Sequence, residues 1–91
     1  MINVENLARE LNISKEFLMT EGIRLFLTRK LLKIETELFR LSKKYDVQNI
    51  FEFDKKIEAG TFSEKIAYED YFLFDNFEAE KDKIKKALQN L

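Results

Sequence analysis

The sequence contains no cysteine, histidine, proline or tryptophan, and Gly22 and Gly60 are its only glycines. Without cysteine there is no disulfide, no thiolate metal site and no thiol nucleophile. Without histidine the commonest general base and the commonest metal ligand are both missing. Two isolated glycines cannot build a phosphate-cradling loop. No apolar run reaches the roughly 18 residues that mark a bilayer-spanning helix, and the N-terminus lacks the basic-then-apolar layout of a signal peptide. A cytoplasmic chain without a membrane partner is therefore expected. There is also no EF-hand loop, no clustered set of metal ligands and no serine elbow. No catalytic residue, cofactor or metal is expected, and an enzyme is the least favoured class.

Apolar and charged residues dominate instead. In a chain of 91 residues, 45% are hydrophobic, 13% aromatic and 36% charged, the last well above the usual quarter. This length makes one domain, residues 1–91, with a single core. A composition rich in Lys, Glu, Leu, Ile and Phe, with almost no turn residues, belongs to long helices. Abundant Lys and Glu without Cys fits a thermophile, and an AT-rich genome gives the same bias. Net charge is only −1, yet the charges are segregated. Residues 24–44 hold seven Lys or Arg against two acids, and residues 64–82 hold seven acids against two lysines. A nucleic-acid binder keeps its basic stripe free. A matching acidic stretch in the same chain favours mutual neutralisation between packed helices.

The apolar spacing predicts four helices in an all-α bundle. A short one over Val4–Leu11 is capped by Asn3 and broken at Asn12. Ser14 caps a second, from Lys15 to about Tyr45, with Ile13 and Leu18 at the positions of a hydrophobic staple. About thirty helical residues span roughly 45 Å, so this helix needs cover along its length, from its own chain or a second subunit. Asn49 and Glu52 resemble a capping box opening a third helix over about 50–59, closed by Gly60. The last helix runs over about 66–90.

On the last helix the main apolar stripe is Ile66, Leu73, Phe77, Ile84, Leu88 and Leu91, flanked by Phe74. Asp70 falls within it. A carboxylate at a core position needs a partner or gives up its charge. With no second catalytic group nearby, Asp70 reads as a member of a buried charged network that fixes helix register. The second helix carries two apolar rows. One holds Ile23, Leu27, Leu31, Ile34, Leu38, Leu41 and Tyr45. The other holds Leu18, Leu25, Leu32 and Phe39 at seven-residue spacing. A narrow polar line with Arg24 and Glu35 runs between them. If both rows are covered and helices two and four are antiparallel, Asp70 comes near Ser42 and Lys43, and Glu35 near Lys81. The expected network is Asp70, Glu35, Arg24 and Lys81.

Tyr68 and Phe72 project opposite the main stripe of the last helix. Together with the row Leu18, Leu25, Leu32 and Phe39 they form the candidate interface, most simply that of a homodimer.

The stretch LARELNISKEFLMTEGIRLFLTRKL, residues 7–31, resembles the two helices of ribbon-helix-helix antitoxins. That likeness implies core positions at Leu7, Leu11, Ile13, Leu18, Ile23, Phe26 and Leu27 and an intertwined dimer. Only MINV stands where that family carries its DNA-reading strand, so nucleic acid is not the expected partner. The remainder has the order KKYDV, NIFEFDKKIEAG and YEDYFLFDNFE. This is similar to a group of small archaeal all-α proteins, some taken to be antitoxins of toxin–antitoxin pairs, in which an aromatic-Glu-Asp motif opens the last helix. Here that motif is Tyr68, Glu69 and Asp70. The leading expectation is a non-catalytic interaction module that binds a cognate toxin or another protein through its aromatic fourth helix. The alternatives are a DNA-binding regulator using the basic residues between Arg24 and Lys44, and a structural protein.

Overall fold

A computed structural model describes residues 2–91. Four helices follow in order: α1 (Val4–Glu10), α2 (Lys15–Tyr45), α3 (Ile50–Glu58) and α4 (Glu64–Gln89). No strand occurs among the described residues. The fold is all-α, as the spacing predicts, although α4 begins two residues before the position read from its apolar pattern.

Capping chemistry sets the boundaries. The side chains of Asn3, Ser14 and Asn49 accept from the backbone N–H of Asn6, Phe17 and Glu52, at 3.1, 3.0 and 2.9 Å, satisfying donors that a helix leaves free in its first turn. Glu52 reaches back to the Gln48 N–H at 2.7 Å. Ser63 precedes α4 without a side-chain cap bond. Three left-handed residues end the first three helices: Asn12 (φ 57°), Asp46 (φ 53°) and Gly60 (φ 72°). After each, the next N–H turns back to a carbonyl in the last turn, as Val47 does to Ser42 at 3.0 Å, using up carbonyls the helix has left over. The ammonium of Lys56 then donates to the carbonyls of Tyr45 and Asp46 at 3.1 and 2.7 Å. This ties α3 to the end of α2.

The core occupies one end of an elongated molecule. Helices α2 and α4 pack along each other, α3 lies on α4, and α1 folds against α2. The ion pairs Lys44–Asp70 and Lys30–Glu80 show that α2 and α4 run antiparallel. Leu41, Phe53 and Phe74 are fully buried, with Phe53 centred 4.4 Å from Tyr45 and edge-on to Phe74 and Tyr71 at 6.0 and 5.8 Å. Phe62 closes over Tyr45 at 4.9 Å. Such aromatic contacts add to area burial when edge and face meet. The buried residues of α2 are Ile34, Leu38, Leu41 and Tyr45, all in its second half.

Two expectations change here. The inner face of α4 carries Ala67, Phe74 and Ile84 as buried residues, with Tyr71, Phe77 and Leu88 partly buried, while Ile66 and Leu73 are exposed. The face is rotated toward Phe74 because α3 presents Phe53 on that side. On α2 only the row through Ile34, Leu38, Leu41 and Tyr45 is buried. Of the second row, Leu18 is partly buried and Leu25, Leu32 and Phe39 stay outside, as do Arg24 and Glu35 of the polar line; no polar or charged residue is buried among those described.

The extents are 60 × 24 × 17 Å with a radius of gyration of 19.1 Å, against about 12 Å for a compact chain of this length. The accessible surface is 7121 Å², roughly 1,500 Å² more than a compact monomer of this mass exposes.

Candidate functional site

Asp70 sits where α4 passes the last turn of α2. Its Oδ2 accepts from the Lys44 ammonium at 2.8 Å and from the Tyr45 hydroxyl. The Asp70 side chain keeps 17% of its exposure and that of Lys44 keeps 46%, so one side of the pair is sheltered and the other wet. Burial pushes the Asp70 carboxyl up, but the hydrogen bonds from Lys44 and Tyr45 outweigh it, and the group ends below its ordinary value of 3.8. Burial, and then the bond to Asp70, raise the Tyr45 hydroxyl above 10.0. The Lys44 ammonium is raised above 10.5, first by its hydrogen bond to Asp70. None of the three is moved toward neutrality, where a proton-transfer catalyst works best. What the arrangement does is join α2, through adjacent residues, to one position on α4, which fixes the register of the two helices.

The other members expected beside Asp70 lie elsewhere. Arg24 is exposed and faces Glu21 of its own helix at 3.9 Å. Glu35 is exposed, and Lys81 is partly buried farther along α4. The four-residue network Asp70, Glu35, Arg24 and Lys81 does not form. It required both rows of α2 to be covered, and one is. The partners of Asp70 are Lys44 and Tyr45 in place of Ser42 and Lys43, a small shift of register. Charge does run between the helices in the expected sense, since Lys30 meets Glu80 at 3.2 Å and Lys44 meets Asp70. Part of the basic segment is thereby occupied within the chain.

The candidate interface residues are where function has most to work with. Along the outer side of α2, Leu18 is partly buried, while Leu25, Leu32 and Phe39 are 53%, 65% and 64% exposed. On α4, Tyr68 and Phe72 are 43% and 61% exposed, with Phe72 edge-on to Tyr71 at 5.7 Å. The two sets lie on different helices and face away from the shared core. Single exposed apolar residues are normal on any surface; a row at fixed spacing on a long helix is not explained that way. Lysines partly shield two rings, Lys43 lying 5.3 Å from the centre of Phe39 and Lys30 5.9 Å from that of Phe26.

The first half of α2 exposes more than the spacing led us to expect. Phe17, Met19, Ile23 and Phe26 are all exposed. The sequence signal was there in residues 17–27, which are apolar around most of the helix, a pattern that calls for cover on several sides. Beside them an open hollow is lined by Gly22, Leu25, Phe26, Arg29, Lys30 and Lys33. A methyl group built on Gly22 would meet nothing within 4 Å.

Among the described residues there is no group of three or more acids that could hold a metal, and no helix long and apolar enough to cross a membrane. In comparison with known proteins, the whole chain, residues 1–91, matches the model of a family described as the Uncharacterized protein MJ0235 family. No curated protein matches it, and no solved structure does.

Proposed function

Given that the chain belongs to the MJ0235 family, whose description assigns no activity, we propose that it is a non-catalytic protein-interaction module. In this reading it is the antitoxin-like member of a pair, and it holds its partner against the outer face of α4. The observation that carries this is the exposure of Tyr68 and Phe72 on a helix whose core is complete without them. Tyrosine and phenylalanine present large contact area for little loss of side-chain freedom, and such residues dominate binding energy at protein interfaces. The Asp70–Lys44–Tyr45 contact supports the same reading from beneath. It pins the first turns of α4, so the aromatic patch is held rigid before a partner arrives, which lowers the cost of binding.

A DNA-binding role has less support. Lys30 and Lys44 within the basic segment are paired with Glu80 and Asp70, which reduces what remains for phosphates.

The test is co-expression with the protein encoded beside this one, followed by affinity measurement. The complex is expected to form, and Tyr68→Ser with Phe72→Ser is expected to weaken it by about 2–4 kcal/mol, a loss of at least thirtyfold. A wild-type chain that does not bind that protein, or binding indifferent to both substitutions, contradicts the proposal.

A further inference from the structure

The α4 patch leaves the outer row of α2 without an occupant. Leu18, Leu25, Leu32 and Phe39 recur every seven residues along the 31-residue helix α2. A seven-residue repeat does not follow one face of an isolated helix, which drifts about 20° per heptad, but it does stay in line along a pair of helices wound around each other. We propose that a second copy of this chain covers this row, with the two α2 helices side by side and parallel. The inference rests on the reading of the chain as an interaction module and adds the identity of one occupant.

Two observations select a second copy and its direction. The first is area. The excess surface of about 1,500 Å² per chain exceeds the roughly 800 Å² that each partner contributes to a standard interface. The second is charge. Glu35, exposed and without an ion-pair partner among the described residues, flanks the row on one side, and Arg40 flanks it on the other. In a parallel pair these flanks meet, and Glu35 of each copy faces Arg40 of its neighbour, giving two cross-pairs. That contact competes with the present Arg40–Glu37 pair at 3.1 Å, an exposed one that contributes little. In an antiparallel pair each flank meets itself, bringing Glu21 against Glu35. Arg29 lies close to its own copy in the parallel arrangement, where its long side chain reaches solvent. Gly22, with open space above its backbone, lets the two helices approach near their N-terminal ends.

The absence of cysteine makes the test direct. A parallel pair sets each residue of the row beside its own copy, so Leu32→Cys, as the only thiol, is expected to give a disulfide-linked dimer on mild oxidation. Lys83→Cys on α4 serves as the control and should not link. An antiparallel pair would join a Leu25→Cys chain to a Leu32→Cys chain and leave each alone unlinked; that result overturns the proposed direction. Sedimentation equilibrium of the unmodified chain provides the second readout. A dimer is expected, with Leu25→Ser plus Leu32→Ser raising its dissociation constant by about 100-fold or more while helix content by circular dichroism stays unchanged. A wild-type chain that remains monomeric at 100-micromolar-order concentrations, the range a weak pair requires, overturns the inference. A chain that dimerises but binds no neighbour-encoded protein, or binds it indifferently to Tyr68→Ser and Phe72→Ser, would instead overturn the interaction reading of α4 alone.

Discussion

At the scale of single residues, Asp70 is the group whose chemistry decides most. Its carboxylate is worth keeping because the Tyr45 hydroxyl, inside the aromatic cluster, needs an acceptor there. The half-exposed Lys44 adds less, since an ion pair open to water is screened. Asp70→Leu leaves that hydroxyl without its partner and should cost about 1–3 kcal/mol in chemical denaturation. Tyr45→Phe removes the donor and keeps the ring, so about 0.5–1.5 kcal/mol is expected. The double variant should lose less than the two single losses combined, because each removes the same bond. The pH dependence follows from the directions of shift. The Asp70 carboxyl is lower in the fold than its ordinary 3.8, so its contribution is complete above that pH and is lost as pH falls through the lower folded value. Tyr45 is raised above 10.0, so its contribution is complete below that pH and is lost as pH rises through the higher folded value. Comparing acid unfolding of the Asp70→Asn chain with that of wild type checks the first: the variant should lose less stability between pH 5 and pH 2, a range bracketing an ordinary Asp.

Helices and their ends were the part most legible in the sequence, because caps act locally. Asn3, Ser14 and Asn49 each perform the bond their identity implies, and Gly60 closes α3 as a left-handed residue. The same logic gives two further predictions. Asp46 holds φ 53° without glycine's freedom, so Asp46→Gly should raise stability by about 0.5–1 kcal/mol, provided Lys56 keeps its carbonyl contacts. Gly22→Ala adds a methyl group in open space inside a helix and should raise the helix's stability by about 0.8–1 kcal/mol in the isolated chain. Thermal melts at low protein concentration measure both. What the sequence could not show was rotation. Ile66 and Leu73 compete with Ala67 and Phe74 for the inner face of α4, and periodicity alone does not rank them. The choice is made by α3, whose Phe53 fills the space beside Phe74. The expected network with Arg24, Glu35 and Lys81 is absent for a related reason. A polar line between two apolar rows is buried only when both rows are covered, and coverage is a property of neighbouring elements. The candidate interface residues needed only an outward direction, which the wheel supplied for Tyr68, Phe72, Leu25, Leu32 and Phe39.

For the molecule as a whole, the governing feature is a tight three-helix core at one end and a long, thinly covered α2 running away from it. That shape leaves Phe17, Leu25, Phe26, Leu32 and Phe39 of α2 exposed, and the proposed association would cover part of that surface. With several of its cations already paired inside the chain, it should bind duplex DNA weakly if at all, and any shift at low salt should vanish by about 0.2 M, as expected for a few phosphate contacts. The most direct measurement is small-angle X-ray scattering on the unmodified chain. Side-by-side pairing along α2 predicts twice the chain mass with a largest dimension still near the 60 Å of one copy. Scattering from a single 60 Å rod, or from a particle twice as long, would contradict it.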